Sequence, residues 1–304
     1  MKIRSHSIIS DFMNYIEHIR RYSLHTIRSY KYDLNDYISF CYDFDPENNF
    51  FKLDQSAIQA YLQYVSQKGL SAKTLARRLA SIKSLYKYML KNKIVKVDIA
   101  ESIKTPKINK ELPHYLSLKE AEDILRLPKG NDEKSIREKL ILELFYTTGI
   151  RISELVSIRF SDIRLEEGVI YVMGKGNKER IVMMGGDAQT TLRDYQKLLY
   201  DRQMIEPENY LFPSLRRNSR NGHIAVKTVF NIVKKYLQQV SDDEKLSPHS
   251  LRHTFATHML NNGADLMAIK DLLGHSSLSS TQVYTHLQPE KLKKIHKNAH
   301  PHGK

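Results

Sequence analysis

Apolar residues recur at steps of three and four through the first third of the chain, the spacing that predicts amphipathic helices. Residues 7–42 form two such stretches, and the polar residues Ser23 and Thr26 introduce the second of them. A third helix is predicted over residues 54–67. A fourth begins after Ser71, a residue type that caps helix N-termini, and runs to about Lys91. The sequence therefore predicts a small helical bundle. The apolar stripe predicted for its first helix consists of Ile8, Phe12, Tyr15, Ile16 and Ile19.

The periodic pattern breaks in the segment that follows this bundle. Residues 104–116 contain two prolines and alternating charges without apolar periodicity, which predicts a linker. Ser117 and Glu120 then have the spacing of a capping box at the start of a new helix. The expected organisation is a helical domain over 1–103, a linker over 104–116 and a second domain over 117–304.

The second domain is expected to be mostly helical, with one exception. In the stretch VIYVMGKGNKERIVMM, residues 169–184, two runs of β-forming residues flank a Gly-Lys-Gly-Asn turn. This pattern predicts a β-hairpin with Lys175 at or near its tip. The predicted fold class is therefore mainly α, with an N-terminal helical bundle and a mixed, mostly helical C-terminal domain that carries a small β-hairpin or sheet.

The charge of the chain adds a binding hypothesis. The net charge is +14, and residues 67–97 contain nine Lys or Arg and no Asp or Glu. A one-sign surface of this kind indicates a polyanionic partner, above all nucleic acid, although a merely solvated helix face would have the same composition. The residues expected to contact DNA are Lys73, Arg77, Arg78, Lys83 and Lys87 in the fourth helix, with Lys178 and Arg180 in the hairpin.

The composition narrows the cellular setting. No apolar run is long enough to span a bilayer, and the N-terminal stretch alternates apolar and charged residues, unlike a secretory signal. The chain has one cysteine, Cys41, so neither a disulfide framework nor a thiolate metal site is expected. Its thirteen histidines include no HExxH pair, and no metal is expected. A cytoplasmic protein without membrane contact is the resulting expectation.

Six residues could carry chemistry, although each has an ordinary alternative when taken alone. Lys175 could be any exposed hairpin lysine, and Tyr284 could be a core aromatic. Together, two arginines, a lysine, two histidines and a tyrosine suit metal-free attack on a phosphodiester. Guanidinium groups stabilise the charge of the phosphoryl transition state, a phenol can form a covalent ester, and a lysine can protonate the departing oxygen. The six residues are Arg151, Lys175, His249, Arg252, His275 and Tyr284.

The local sequences around these residues carry a family resemblance. The stretches GIRISEL, GKGNKER, HSLRHTFATHML and LLGHSSLSSTQVYTH contain the six residues in order. They resemble the tyrosine recombinase (phage-integrase) family, and most of all its Xer branch. The resemblance extends over nearly the whole chain, with the N-terminal bundle corresponding to the family's core-binding domain and the second domain to its catalytic domain.

This resemblance implies a role for each of the six residues. Arg151 and Arg252 would bind the non-bridging oxygens of the scissile phosphate, with help from His275. Lys175 would be the general acid for the leaving 5′-hydroxyl and His249 a base near the nucleophile. Tyr284 would attack and form a 3′-phosphotyrosyl link. Because the link preserves the ester, rejoining would need no metal, ATP or other cofactor.

The resemblance also implies an assembly and leaves the physiological role open. Four protomers would exchange strands between two double-stranded DNA sites through a Holliday junction, with the tail after Tyr284 contacting a neighbouring protomer. The tetramer could be built from one chain or shared with a second recombinase, and a DNA translocase could activate it. Chromosome dimer resolution in cell division is the expected role. The alternatives are integration of a mobile element, a type IB topoisomerase and a non-catalytic DNA-binding module.

Overall fold

The structure is a computed structural model that describes residues 2–44, 50–108, 113–174, 179–200, 205–214, 222–274 and 289–303. It divides into two compact units, residues 1–111 and 112–304. The division falls within the predicted linker. Among the described residues, no helix is both long enough and apolar enough to cross a membrane.

The first unit is a helical bundle around a core of aliphatic and tyrosine side chains. Its helices begin where the sequence places caps: the Asp54 carboxylate accepts a hydrogen bond from the Ser56 amide, and the Ser71 hydroxyl accepts one from the Thr74 amide. The helices are α1 (Lys2–Asn14), α2 (Leu24–Phe44), α3 (Gln55–Gln67) and α4 (Ala72–Lys91).

The first helix differs from the predicted one at its end. A turn of π-helix, Tyr15–Ile19, follows α1 and shifts the residues after it around the helix axis. Ile16 remains buried, but Ile19 is 70% exposed, so the predicted apolar stripe is wrong at Ile19. The i to i+3 spacing placed Ile19 on the buried face only if the helix stayed regular.

The second unit is mostly helical and carries a small antiparallel sheet. The strands are ordered β1-β2-β3, and Ile170 on β2 lies opposite Val182 on β3. The predicted hairpin and the predicted mainly α fold class are confirmed. The elements are α5 (Leu118–Arg126), α6 (Glu133–Thr148), α7 (Ile152–Ser157), β1 (Ile163–Arg164), β2 (Val169–Met173), β3 (Glu179–Met183), α8 (Gly186–Tyr200), α9 (Val226–Val240), α10 (Pro248–Asn261), α11 (Leu266–Leu273) and α12 (Pro289–Ala299).

The start of the second unit lies before its first helix. The capping box of Ser117 and Glu120 forms as predicted. Leu116, however, belongs to the predicted linker and yet is fully buried in the core of this unit. Its amide donates to Thr254 Oγ1 at 2.9 Å, and its carbonyl accepts from His258 Nε2 at 3.0 Å. The end of the predicted linker is therefore part of the second core.

The central helix of the second unit is α6, which packs against α5, α8, α9 and α10. It is buried from Leu140 to Thr148 on nearly all sides, so it shows no amphipathic pattern in the sequence. It ends at Gly149, whose φ of 59° is the left-handed conformation that favours glycine. This turn sends the chain directly to Arg151.

The C-terminal helix α12 packs within its own chain, against α10, α11 and β3. His296 and His300 are buried there, and each donates from Nε2 to a carbonyl near the end of α6. The family resemblance implies that this segment contacts a neighbouring protomer, which stays a prediction. Within the single chain, the described part of the segment packs on its own unit.

Candidate active site

Arg151 is held at the N-terminus of α7 by a carboxylate three residues further on. The Arg151 backbone amide donates to Glu154 Oε2 at 2.9 Å, and its guanidinium donates to Glu154 Oε1 at 2.7 Å. A second guanidinium nitrogen donates to the carbonyl of Gly274 at 3.2 Å. The side chain is 30% exposed, so it is fixed in direction and still reachable from solvent.

Arg252 is placed on α10 and is more deeply buried than Arg151. Its guanidinium donates to the carbonyls of Gly149 and Leu273. Burial, together with the positive charges of Arg151 and Arg180, lowers the pKa of Arg252 to about 10. The two arginines assigned to the scissile phosphate therefore lie close enough to repel each other.

Arg180, on β3, is the third guanidinium of this site. Its Nε donates to the carbonyl of Leu272 at 3.2 Å, and its two terminal nitrogens donate to the two oxygens of Glu154 at 2.8 and 2.7 Å. The sequence led us to expect Arg180 as a DNA contact of the hairpin. The structure places it instead beside Arg151, where it forms a bidentate ion pair with Glu154.

The last turn of α11 gathers all three guanidinium groups. The consecutive carbonyls of Leu272, Leu273 and Gly274 accept from Arg180, Arg252 and Arg151 respectively. The carbonyl end of a helix is its negative end, and its last carbonyls have no partner inside the helix. This helix terminus is therefore well suited to hold a cluster of cations.

Glu154 is the anionic centre of the cluster and is almost completely buried. Burial alone would raise the pKa of Glu154. Hydrogen bonds from Arg180 and from the Arg151 amide, with the charge of Arg180, instead hold this pKa below its ordinary value. Glu154 is therefore a carboxylate, and the cluster of three arginines and one glutamate carries a net positive charge.

The remaining predicted catalytic residues fall into two groups. His249 is exposed near the start of α10, and the pKa of His253 is lowered by burial and then by the nearby charges of His249 and Arg252. His249 therefore lies near the Arg252 end of the cluster. The predicted catalytic residues Lys175, His275 and Tyr284 lie outside the described residues, as does Lys178, which was predicted to contact DNA.

The cations of α4 are not all on the surface. Lys73 and Lys87 are exposed, Lys83 donates to the carbonyl of Glu101 at 3.1 Å, and Arg77 pairs with Asp33. The prediction that Arg78 contacts DNA is corrected, because its side chain is only 7% exposed.

The Arg78 guanidinium lies inside the bundle. It contacts Asp36 and the hydroxyl of Tyr61. Two carboxylates on α2, the fully buried Asp33 and the partly exposed Asp36, attract this side chain inward, and charge along α4 alone could not reveal them.

Sequence reasoning missed Glu154 and the true position of Arg180. The signal for Glu154 was present, since an acidic residue three positions after an N-cap residue is the spacing of a capping box. No local signal connects Arg180 to Glu154, because the two residues are 26 positions apart and meet only in the folded unit.

Two family comparisons match the two units. Residues 114–291 match the family described as "Phage integrase family". Residues 9–93 match the family described as "Phage integrase, N-terminal SAM-like domain". The chain therefore belongs to the phage integrase family.

Curated relatives narrow this assignment. A protein named tyrosine recombinase XerC from Thermodesulfovibrio yellowstonii is 38% identical over 97% of both chains. A tyrosine recombinase XerD from Haemophilus influenzae is 36% identical over 98% of this chain and 99% of its own. The resemblance to Xer-like tyrosine recombinases is confirmed, and the chain is a tyrosine site-specific recombinase. The alternatives, a mobile-element integrase and a type IB topoisomerase, are not favoured.

Solved structures share the fold. A XerH site-specific recombinase bound to palindromic difH substrate, in a post-cleavage complex, aligns with a TM-score of 0.68 and 22% identity over 94% of this chain and 83% of its own. A lambda integrase (75–356) dimer bound to a COC′ core site aligns with a TM-score of 0.67 and 17% identity over 90% of this chain and 95% of its own.

Proposed function

We propose that this chain cuts and rejoins double-stranded DNA at a specific recombination site through Tyr284. The observation that carries the proposal is the arginine cluster at the end of α11, in which Arg151 remains partly exposed and positively charged. A phosphodiester is the ligand that such a cluster fits, because planar guanidinium groups bind pairs of phosphate oxygens. Tyr284 lies eleven positions after Leu273, the last residue of α11.

The reaction requires one bond to form as another breaks. The Tyr284 oxygen would bond to phosphorus while the bond from phosphorus to the 5′-oxygen breaks. His249 would take the tyrosine proton, and Lys175 would give a proton to the leaving oxygen. The products would be a 3′-phosphotyrosyl link and a free 5′-hydroxyl. Attack by the 5′-hydroxyl of another strand would reverse these steps and rejoin the DNA without ATP.

The proposed roles of the arginines follow from charge. A phosphoryl transition state spreads negative charge over its equatorial oxygens, so catalysis depends on cations already in place. Arg151 and Arg252 would bind the two non-bridging oxygens, and His275 would support them. Removal of a single preorganised donor of this kind typically costs about 10²–10³ in rate.

The biological role that we propose is Xer-type recombination, with chromosome dimer resolution as its purpose. The support is the identity to proteins named XerC and XerD over nearly full length. The proposal includes a tetramer on two DNA sites, of one chain or with a second recombinase, and activation by a DNA translocase. Since the relatives are bacterial proteins, the proposed location is the cytoplasm, where bacterial DNA lies.

Covalent capture tests this function. The protein is incubated with fragmented DNA of its source cell and then denatured, and the DNA that remains attached is sequenced. We expect enrichment of one short, roughly palindromic sequence. Tyr284→Phe should retain DNA binding and lose the adduct. Adducts scattered without preference, or adducts that persist in Tyr284→Phe, would contradict the proposal.

A further inference from the structure

The guanidinium of Arg180 is committed to holding other groups. It binds both oxygens of Glu154 and the carbonyl of Leu272, and its side chain is 12% exposed. Its Cδ lies 2.8 Å from the position that a Cβ on Gly274 would occupy, so the stem also packs closely. A guanidinium bound on these sides is poorly placed to bind DNA itself.

Arg180 changes the charge that Arg151 can offer to a phosphate. Glu154 accepts hydrogen bonds from the amide and from the guanidinium of Arg151. With no other cation, the pair of Arg151 and Glu154 would be neutral overall. A bidentate partner on the same carboxylate restores a net positive charge. It also engages the carboxylate lone pairs that would otherwise bind Arg151 more fully.

The position of Arg180 on a paired strand makes it a rigid partner. Arg180 lies opposite Val172 in the register of β2 and β3, so its backbone is fixed by the sheet. Arg151, at the start of the short helix α7, depends on Glu154 and Gly274 for its direction. Arg180, on the strand, is therefore the more rigid of the two arginines that share the Glu154 carboxylate.

We propose that Arg180 is a positioning residue of the recombination reaction. By binding both oxygens of Glu154, it leaves Arg151 charged and directed toward the scissile phosphate. This inference rests on the proposed function, because it concerns the same site.

The test compares two substrates that differ in the charge of one phosphate. The probe is a nicked duplex with the sequence enriched by covalent capture, made with a normal phosphodiester or with a methylphosphonate at the scissile position. The methyl group replaces a non-bridging oxygen and removes the negative charge. The contribution of a cation that acts on this oxygen therefore falls on the second substrate.

We expect Arg180→Gln to slow single-turnover cleavage of the normal substrate by about 10- to 100-fold, as when a residue that orients a metal ligand is removed. On the methylphosphonate substrate the ratio of wild-type to variant rates should fall toward one. Arg180→Lys should be intermediate, because lysine keeps the charge and lacks the fork.

A double variant tests the route through the carboxylate. In Glu154→Gln with Arg180→Gln, no carboxylate remains to neutralise Arg151. We therefore expect the double variant to cleave the normal substrate faster than Arg180→Gln alone, a non-additive result of coupling within one network. Arg193→Gln is the matched control, since Arg193 pairs with Glu166 at 3.6 Å on the surface of the same unit.

Three results would overturn the inference. Equal loss on both substrates would mean that Arg180 only supports the fold. In that case thermal denaturation would also show that Arg180→Gln is less stable than the wild-type protein. No loss in Arg180→Gln would remove its role altogether. A double variant no faster than Arg180→Gln would exclude the route through Glu154. Failure of the wild-type protein to cleave the normal substrate would contradict the proposed function instead.

Discussion

At the residue scale, the arginine cluster concentrates like charges in a partly buried place. Burial and repulsion from Arg151 and Arg180 together lower the pKa of Arg252 to about 10. Groups held against such a cost mark functional sites, because the cost is relieved when the intended ligand arrives. A bound phosphate would bring the opposite charge to this cluster, so DNA binding should stabilise the second unit.

Gly149 is a residue on which the site depends sterically. Its φ is 59°, and a Cβ there would lie 2.7 Å from Phe255 Cδ1 and 2.8 Å from Leu273 Cδ2. We predict that Gly149→Ala lowers the free energy of unfolding by about 1–2 kcal/mol for the left-handed backbone. Overpacking should add about 1–3 kcal/mol more. Urea denaturation measures the sum.

Gly263 provides the matched control for this prediction. Its φ is also positive, at 83°, but nothing lies within 4 Å of the Cβ position. Gly263→Ala should therefore show the backbone cost alone. Equal losses in the two variants would mean that the contacts of Gly149 with Phe255 and Leu273 do not matter.

The site could be predicted from sequence as a set of residues but only partly as an arrangement. Arg151 and Arg252 were identified because their types and local motifs suit a phosphate. Their shared partner, the carbonyl end of α11, could not be identified, since backbone carbonyls leave no trace in a sequence. The inward position of Arg78 was missed for a related reason: its partner Asp36 lies on another helix.

At the element scale, α12 is attached to the rest of its unit by neutral imidazoles. His300 donates from Nε2 to the Tyr146 carbonyl at 3.0 Å and accepts at Nδ1 from the His302 amide at 3.1 Å. It also stacks on His296, with ring centroids 5.1 Å apart. A proton on Nδ1 would remove the acceptor and place positive charge beside a second histidine.

We predict that acid weakens the attachment of α12. Burial lowers the pKa of His296 and lowers that of His300 well below its ordinary value of 6.5. The unfolded chain therefore binds more protons than the folded one as the pH falls below about 6.5, and stability is lost in that direction. Protease sensitivity of the C-terminal helix, measured from pH 8 to pH 5, should increase.

Nearby groups require a variant comparison. Burial raises the pKa of Glu143 to about 7, so Glu143 contributes the opposite slope: its cost appears as the pH rises. His258, His302 and Asp187 also face this region. We expect His300→Gln to flatten the acid response, whereas His25→Gln, at an exposed position, should leave it unchanged. An identical response in His300→Gln would contradict the prediction.

The elements themselves were largely predictable because their ends carry local chemistry. Ser71, Ser117 and the two glycines that end α6 and α11 act within a few residues. The π-helical turn after α1 and the two-residue strand β1 were not predictable, since each is set by packing against other elements.

At the scale of the whole molecule, a net charge of +14 should dominate association with DNA. The structure narrows the contribution of α4, because Arg78 is buried and Arg77 is paired with Asp33. Lys73 and Lys87 remain exposed on this helix. Of the α4 cations predicted to contact DNA, these two are the best placed to bind phosphate.

We predict that Lys73→Gln with Lys87→Gln makes DNA binding less sensitive to salt. Each lost phosphate contact should reduce the slope of log affinity against log salt by about 0.9, hence by about 2 for the pair. Fluorescence anisotropy with a DNA duplex at several salt concentrations measures the slope.

A control variant that loses the same charge elsewhere distinguishes direct phosphate contact by α4 from the general effect of the positive charge of the protein. Lys197→Gln with Lys235→Gln removes two partly exposed lysines of the second unit. If this control reduces the slope as much as the α4 variant, the exposed face of α4 makes no special contact. A smaller effect of the control supports direct phosphate contact by α4.

The anchoring of three arginines on the carbonyls of Leu272, Leu273 and Gly274 has a consequence for sequence divergence. A backbone carbonyl is present whatever side chain the residue carries, so most substitutions in α11 leave these acceptors in place. Random mutation can therefore alter the helix while its grip on the guanidinium groups persists. A Cβ at Gly274 is different, because it would lie 2.8 Å from Cδ of Arg180 and would displace that guanidinium from its acceptor.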